Sequence, residues 1–161
     1  MESNYKFSSR NFGNLGGVPI EWDTIAKDRP ALTFEEIEIP PFGDFHGIVN
    51  NSNVPIKMAG KHSWDNLVLI FEDDKDYNLT KLIQQQLHRQ ELALRNINGI
   101  LKNKEYMFDF NIINEDEKWT IEGAFLKQVD WGDLDIKDKS NQIIEMIISF
   151  NNAMVFQHEN V

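Results

Sequence analysis

Apolar and polar side chains alternate along much of the chain, which predicts β-strands. Residues 31–40 (ALTFEEIEIP) mix β-branched and aromatic residues with glutamate and stop at Pro40 and Pro41, whose missing N–H groups end a ladder. Residues 64–71 (WDNLVLIF) end in an unbroken apolar run, which is typical of a strand covered on both faces. A shorter strand is predicted over residues 18–22.

The last third of the chain predicts a long hairpin and a closing strand. Residues 106–112 alternate apolar with polar side chains, and a polar turn at residues 114–117 leads into residues 119–125. A second polar turn spans residues 130–141, after which residues 142–156 predict one closing strand. One face of each strand is expected to carry, in turn, Tyr106, Phe108, Phe110 and Ile112; Trp119, Ile121, Gly123 and Phe125; and Ile144, Met146, Ile148 and Phe150.

One segment has the periodicity of a helix. Asn78 is a favourable N-terminal capping residue and Gly99 lies near the C-terminal end, so a helix is predicted over about residues 79–98. Five polar side chains form its solvated face, Gln84, Gln85, His88, Arg89 and Glu91. Apolar side chains recur at intervals of three and four residues, at Leu79, Leu82, Ile83, Leu87, Leu94, Ile97 and Leu101.

These elements predict a mainly β fold, an antiparallel β-sandwich or barrel with one packed α-helix. Residues 1–22 are rich in Gly, Asn and Ser, which indicates an N-terminal arm, and residues 23–161 form the β domain. Residues 41–55 (PFGDFHGIVNNSNVP) are predicted to be a loop, yet they include several apolar side chains. Such a loop usually buries those side chains against another surface.

Composition and charge narrow the range of functions. The chain has 161 residues, 41% of them hydrophobic, and a formal net charge of −10, so it folds with a surface that repels nucleic-acid phosphates. It contains no cysteine, which excludes disulfides, thiolate nucleophiles and cysteine-bound metals. Residues 1–15 lack the apolar stretch of a signal peptide, and no segment reaches the ~18 to 20 apolar residues that span a bilayer. We therefore expect synthesis in a cytoplasm and no membrane partner.

No sequence motif predicts catalysis, a bound metal or a cofactor. Glycine-rich nucleotide loops, zinc-protease motifs and serine-hydrolase motifs are missing from the sequence. The histidines also lack the i, i+4 spacing with which a helix presents two imidazoles to a metal. They are His46, His62, His88 and His158.

Two sites built from acids stay open as minor alternatives. A calcium loop would use Asp130, Asp133, Asp135 and Asp138, although their spacing lacks the EF-hand order of ligands. A glycosidase-like site would need two facing carboxylates, one of them desolvated. Its candidates are Glu36 or Glu38 with Asp109 or Glu122.

The order of elements resembles that of one known family. Residues 54–71 (VPIKMAGKHSWDNLVLIF) follow a pattern of strand, short turn at Ala59 and Gly60, basic residue, aromatic-Asp step and apolar strand, and the acidic residues 72–76 and the helix come next. Residues 119–125 (WTIEGAF) match a strand ending in Gly-aromatic, residues 132–135 a Gly-x-Leu turn, and residues 140–150 a final apolar strand. Over about residues 31–156, the chain is similar to the tail tube proteins of contractile-tailed bacteriophages, and to tube proteins of type VI secretion and related contractile injection systems.

The resemblance implies a structural protein without enzymatic activity. A subunit of this family joins five further copies of itself in a ring, and rings stack into a hollow tube inside a contractile sheath, with one closed β-barrel shared among subunits. The implied partners are other copies of the chain, the tail sheath protein, the baseplate hub, the tape-measure protein, and double-stranded DNA that passes to the host without specific binding. The implied location is the tail of a virion. Alternatives are a tube subunit of an injection system, a tube initiator or terminator, and, in a different class, a small acidic ligand-binding β domain.

Two sets of residues are the candidate sites under this resemblance. Acids at alternating strand positions are expected to face the bore, where repulsion keeps DNA mobile; ordinary solvent exposure is the alternative. These acids are Glu36, Glu38, Asp109 and Glu122. The loop is expected to contact an adjacent ring or subunit, or alternatively to fold back on its own barrel. Its contact residues are Phe42, Gly43, Asp44, Phe45, Ile48 and Val49.

Overall fold

The structure, a computed structural model, describes residues 3–12, 18–95, 106–133 and 142–157, and 57% of it is β-strand. The chain divides into two compact units, of which residues 31–65 form the smaller. The smaller unit contains β3 (Leu32–Ile39), β4 (Gly43–Phe45), β5 (Ile48–Asn50) and β6 (Ile56–Trp64). The larger unit contains β1 (Ser3–Ser9), β2 (Ile20–Ala26), β7 (Leu67–Glu72), α1 (Asn78–Arg95), β8 (Phe108–Ile113), β9 (Glu117–Asp130), β10 (Ile143–Ser149) and β11 (Asn152–Gln157).

Six strands of the larger unit form a closed antiparallel barrel. Their order is β10-β7-β2-β1-β8-β9, and β9 closes the sheet by pairing with β10. β11 extends the sheet from β9, and α1, the one helix among the described residues, packs against β9. The predicted antiparallel β fold with a single packed helix is confirmed. Closure gives each barrel strand a partner on both sides and so removes its open edges.

The first strand is part of the barrel wall, whereas the sequence indicates an arm over residues 1–22. β1 pairs with β2 on one side and with β8 on the other, and the expected boundary at residue 22 falls inside β2. Tyr5, Phe7 and Ser9 are all buried. Their two-residue spacing is typical of a strand. The prediction of an arm rested on the composition of residues 1–22 as a whole, in which the glycines after β1 outweigh this spacing.

Phenylalanine rings fill the interior of the barrel. Phe7 is fully buried, and its ring centroid lies 5.3 Å from that of Phe71 and 4.9 Å from that of Phe110. The rings of Phe12 and Phe108 form a second close pair at 5.0 Å. Aromatic pairs of this kind contribute about 0.5–1.5 kcal/mol beyond their buried area, so they join strands that are far apart in sequence.

A β-bulge at Gly123 reverses the alternation of side chains along β9. The pairing with β8 shifts register here; Gly123 has a φ of +66°, and its N–H donates a hydrogen bond to Asp109 Oδ1 over 2.9 Å. Ile121 is buried before the bulge and Ala124 after it. The expectation that Phe125 shares the face of Ile121 is therefore wrong, because one extra residue inverts the order of side chains.

The predicted closing strand is two strands. β10 pairs with β7 and with the C-terminal part of β9, whereas β11 pairs with the N-terminal part of β9. The break falls beside the bulge, where the Asn151 N–H donates to the Glu122 carbonyl over 3.0 Å. The expected common face is confirmed, since its four side chains are buried. These are Ile144, Met146, Ile148 and Phe150.

Two carboxylates ahead of α1 accept hydrogen bonds from its first backbone N–H groups. Asp74 accepts from Asn78 over 2.9 Å, and this bond lowers the pKa of Asp74. Asp73, which is buried, accepts from Leu79 over 3.0 Å and from Thr80 over 3.2 Å. The first N–H groups of a helix have no partner within it. The acids therefore cap α1, and Asn78, the predicted cap, is its first helical residue.

Apolar side chains in the first two turns of the helix are buried against the barrel. Leu79, Leu82 and Ile83 are buried, as predicted. Leu94, also expected on the packed face, is 79% exposed, so that expectation is wrong. Ile97, Leu101 and the predicted end at residue 98 lie outside the described residues.

Two glutamines of α1 bond to backbone groups of the barrel unit. Gln90 Nε2 donates to the carbonyl of Leu126 and Gln90 Oε1 accepts from its N–H, each over 2.9 Å. Leu126 is paired with Ile148 of β10, and on its other side the pairing of β9 with β8 ends at Ala124, so the amide bonds backbone groups that lie beyond the end of that ladder. Gln86 is fully buried and donates to the Tyr106 carbonyl over 2.6 Å. An apolar pattern does not reveal such buried polar contacts.

The smaller unit is a two-stranded ribbon, β3 with β6, that carries a short hairpin, β4 with β5. β3 confirms the strand predicted over residues 31–40. Ala59 and Gly60 do not form the expected turn. They lie inside β6 at a bulge, where a Cβ on Gly60 would come within 2.8 Å of Ile37 Cδ1. The sequence predicts that Trp64 begins the next strand, and this is wrong, because Trp64 ends β6 and β7 begins at Leu67.

A buried carboxylate connects the start of β9 to β1 and to Arg29. Tyr5 Oη donates a hydrogen bond to Glu117 Oε1, and Arg29 Nε donates to the same oxygen over 3.0 Å. Burial by itself would raise the pKa of Glu117, but the hydrogen bonds from Tyr5 and Arg29 favour the charged carboxylate, and the pKa is lowered. Burial, and then the bond to Glu117, raise the pKa of the Tyr5 phenol.

Gly123→Ala is expected to destabilise the barrel by about 1–3 kcal/mol, because a Cβ strains a residue with positive φ and would lie 2.5 Å from Asn151 Nδ2. Urea denaturation measures the loss. In an Asn151→Ala background, part of that loss should return, because the amide no longer meets the new methyl group. An equal loss in both backgrounds would show that the contact with Asn151 is irrelevant.

Glu117→Gln is expected to cost about 1–3 kcal/mol at neutral pH, since it weakens two hydrogen bonds to a buried charged acceptor. The folded-state pKa of Glu117 lies below the ordinary 4.5. Its stabilisation is therefore complete above that ordinary value and disappears as the pH falls through the folded-state pKa. Urea midpoints of wild type and variant should converge in acid. Glu115→Gln, at an exposed turn position, is the control; a difference unchanged between pH 7 and pH 3 would contradict the argument.

Candidate functional site

The register of the ribbon places two of the candidate acids on one face. Glu36 pairs with Ala59 and Glu38 with Lys57, and strand positions two apart share a face. Lys57 Nζ lies 3.3 Å from Glu36 Oε1, and both side chains are well exposed. An exposed pair of this kind contributes little stability. Glu36 and Glu38 are thus neighbouring, solvent-accessible acids on one side of the ribbon.

Large apolar side chains on the ribbon are exposed as well. Phe34 is 53% exposed, and its ring lies 5.6 Å from that of His62. Leu32, Ile56 and Met58 are also exposed. A two-stranded ribbon is marginally stable by itself. Its exposed large apolar side chains lie on both faces, Phe34 on the face of Glu36 and Met58 on the other, and exposed apolar surface of this kind marks contacts with other molecules. The ribbon therefore has the character of an interface.

The predicted contact loop is the β4–β5 hairpin. Its turn residues His46 and Gly47 have φ values of +46° and +82°, as in the two-residue turns that suit the twist of a hairpin. Phe42, beside the hairpin base, is 71% exposed, and Val49 on β5 is 60% exposed, so the hairpin presents apolar side chains to solvent. The structure brings together in this hairpin all the predicted contact residues, Phe42, Gly43, Asp44, Phe45, Ile48 and Val49.

Asn50 holds the base of this hairpin, a role that the sequence reasoning missed. Its side chain is buried, and its Nδ2 lies 3.2 Å from the Ile39 carbonyl and 3.1 Å from the carbonyls of Pro40 and Val54. Its Oδ1 accepts a hydrogen bond from the Ser52 N–H over 3.0 Å. The Asn-x-Ser spacing is a turn signal of its own, because asparagine side chains bond to the backbone two residues further on.

The other two candidate acids lie at the β9 bulge in the larger unit. Asp109 is exposed and its carboxylate accepts the Gly123 N–H, so it supports the bulge. Glu122 lies on the opposite strand of the same register shift. The structure thus brings Asp109 and Glu122 together at the bulge and places Glu36 and Glu38 together on the ribbon.

β11 is an open edge. Within the described ranges it pairs with β9 alone, so its second edge has no strand partner there. Met154, Val155 and Phe156 on this strand are 39%, 47% and 54% exposed. An edge that presents unpaired backbone groups and apolar side chains is a surface for strand addition.

The described residues show neither a cation site nor a membrane-spanning helix. Among them, no three His, Asp or Glu side chains lie together as a metal site requires. In the acidic turn considered for calcium, Asp130 Oδ1 accepts the Gly132 N–H over 3.0 Å, and Asp135 and Asp138 lie outside the described residues. No helix in the described part is long and apolar enough to cross a bilayer.

No protein-family model matches the sequence, and no curated protein matches it either. Solved structures match over nearly the whole chain. A chain from the six-fold symmetrised baseplate of the anti-feeding prophage has a TM-score of 0.56 and 17% identity, covering 95% of this chain and 91% of that chain. A chain from the sheath–tube complex of the extracellular contractile injection system PVC, in its extended state, has a TM-score of 0.52 and 15% identity, covering 96% and 88%.

The third comparison is with a cap that terminates a tube. A chain from the tube-terminating cap of the anti-feeding prophage has a TM-score of 0.51 and 16% identity, covering 96% of this chain and 89% of that chain. At such identities the likeness concerns the fold. The chain therefore shares its fold with chains of the sheath–tube, cap and baseplate assemblies of contractile injection systems.

Proposed function

We propose that this chain is a structural subunit that assembles into stacked hexameric rings and forms the inner tube of a contractile phage tail, a conduit for genome delivery. The observation that carries the proposal is the exposed apolar surface of the ribbon, the hairpin and the β11 edge. Its support is a fold shared with structural components of contractile injection systems. One of those structures is six-fold symmetrised, which favours rings of six. A subunit of this kind works by assembly and needs no catalytic group.

Copies join through their open strand edges under this proposal. β11 offers one edge and the ribbon offers others. Pairing between copies would give the unpaired N–H and C=O groups partners and would cover Phe34, Met154 and Phe156. Because the paired edges differ, the contact is heterologous, and a suitable rotation closes it into a ring. A β-barrel shared among six subunits results.

The four candidate acids face the bore in this arrangement. Glu36, Glu38, Asp109 and Glu122 would line it with negative charge, in keeping with the net charge of −10. A basic lining would hold DNA by releasing counterions from its phosphates, whereas an acidic lining lets it slide. The tail sheath, the baseplate hub and the tape-measure protein are the proposed protein partners, and the proposed location is the virion tail, after synthesis in the host cytoplasm.

A role at the end of a tube, or in an injection system, is the second candidate. Two solved structures that share the fold come from a tube-terminating cap and from a sheath/tube terminator. A terminator uses ring contacts but stacks on one side only. It would therefore form single rings, whereas a tube subunit would form long stacks.

Electron microscopy of the purified, concentrated protein in negative stain, with light scattering for mass, tests these roles. Stacked rings with an open bore are expected from a tube subunit, and isolated rings from a tube-end protein. A protein that stays monomeric even when seeded with tail fragments would contradict both roles. It would leave the small ligand-binding β domain as the better hypothesis.

Asn50→Asp is expected to abolish assembly while the barrel stays folded. The substitution removes two N–H donors and sets a carboxylate against three backbone carbonyls, so the hairpin loses its base. The circular dichroism of α1 and the unfolding midpoint of the barrel should stay close to those of wild type. Asn51→Asp, the exposed neighbour, is the matched control and should assemble normally. Normal assembly of Asn50→Asp would rule out a contact role for the hairpin.

A further inference from the structure

An open groove of about 1050 Å³ lies on the larger unit, across β1, β2, β7 and the adjoining ends of β8 and β10. Its apolar lining comes from four different strands, as Ile25, Ile70, Ile113 and Ile143. Ile25 and Ile70 alternate along their strands with buried residues, so they point out of the barrel. Ile143 is 60% exposed. An apolar concavity of this size on a barrel wall is suited to receive apolar side chains from another molecule.

The charges around this groove are unequal. Four acids contribute to its lining, Asp23, Glu72, Glu115 and Asp116. Lys6 is the one base among the described residues that line it. Lys6 Nζ lies 3.9 Å from Glu21 Oε2, with both side chains more than half exposed. A long, solvated pair of this kind is weak, so Lys6 is available to a better-placed carboxylate.

The β4–β5 hairpin offers apolar side chains to the isoleucines of the groove and one acid to Lys6. Phe42, beside the hairpin base, and Ile48 and Val49 on β5 are exposed, and the acid, Asp44, is exposed as well. His46 lies at the turn, and an imidazole N–H can donate a hydrogen bond to one of the acids around the groove. Because Asn50 fixes the hairpin base, the tip does not have to become ordered when it binds, which lowers the entropic cost of docking.

We infer that the hairpin of one copy docks in the groove of the next copy. The inference rests on the proposed self-assembly and names the surface that receives the hairpin. The exposed apolar side chains of the hairpin cover the four isoleucines, and Asp44 of one copy pairs with Lys6 of the other. Hairpin and groove are different surfaces, so each copy gives one contact and receives one, and the contact repeats from copy to copy. Between chains that each carry a net charge of −10, a matched pair of charges also sets the register of docking.

The absence of cysteine from the chain permits a direct cross-linking test. Full-length Val49→Cys and full-length, isotopically heavy Ile143→Cys are mixed at equal, dilute concentration and joined with a short bismaleimide. Both positions are 60% exposed and therefore reactive. Mass spectrometry counts the mixed and the like dimers. We expect mixed dimers well above the statistical half, and at least about a threefold loss when the Ile143→Cys chain also carries Lys6→Glu.

Two controls make the result specific. Val18→Cys replaces Ile143→Cys in a parallel reaction, because Val18 is 66% exposed in the same unit but does not line the groove. It should give no excess of mixed dimers. Adding Asp44→Lys to the Val49→Cys chain should restore mixed dimers with the Lys6→Glu chain, since the pair of charges is then reversed.

Three outcomes would overturn the inference. They are a mixed-dimer yield equal to that of the Val18→Cys control, an excess only of Ile143→Cys like dimers, or no response to the charge exchange. The proposed function is tested separately, by electron microscopy of the cysteine-free protein. If rings or tubes form but the mixed cross-link does not, the assembly role stands and this groove is rejected as the docking surface. Monomers without the cross-link would reject both.

Discussion

The closed barrel depends on one strand that pairs along both of its edges. β9 spans 14 residues and pairs with β8 on one side and, on the other, with β11 and then β10. The bulge at Gly123 bends the strand so that its two halves meet different partners, and Asp109 and Asn151 take up the backbone groups that the bulge frees. Without this bend, β10 would not meet both β7 and β9, and the sheet would keep open edges.

The two units differ in how far their aromatic side chains are buried. The barrel buries its phenylalanines in close pairs, and its buried polar groups bond within the same unit, as Gln90 does with Leu126 and Tyr5 with Glu117. In the smaller unit the amide of Asn50 is buried, whereas Phe34 and Phe42 are exposed. Large aromatic side chains that are exposed together usually mark a surface that another molecule covers. The arrangement is consistent with a unit whose apolar cover comes from other copies.

Sequence patterns predicted most elements where periodicity was long and regular. The strand over residues 31–40, the start of the helix, and the common face of Ile144 and Met146 follow from alternation or from three-and-four spacing. Errors arose where one residue interrupts a period. The bulge at Gly123 moved Phe125 to the other face, and the break at Asn151 divided the closing strand. The predicted contact loop does form one hairpin, but Asn50 was not anticipated, because its role depends on carbonyls on both sides of the hairpin, those of Ile39, Pro40 and Val54.

The sequence by itself determined the class of fold, the acidic charge and the lack of cysteine, because period-two alternation and composition are local properties of the chain. It also carried the resemblance to tube proteins through the order of its elements. Only the tertiary structure decided that β1 completes a closed barrel, that carboxylates ahead of α1 cap it, and that β11 pairs along one edge alone within the described ranges. Closure of the barrel through β1 depends on pairing between residues about a hundred positions apart, such as Ser9 with Phe110, and register between distant strands leaves no local pattern in a sequence.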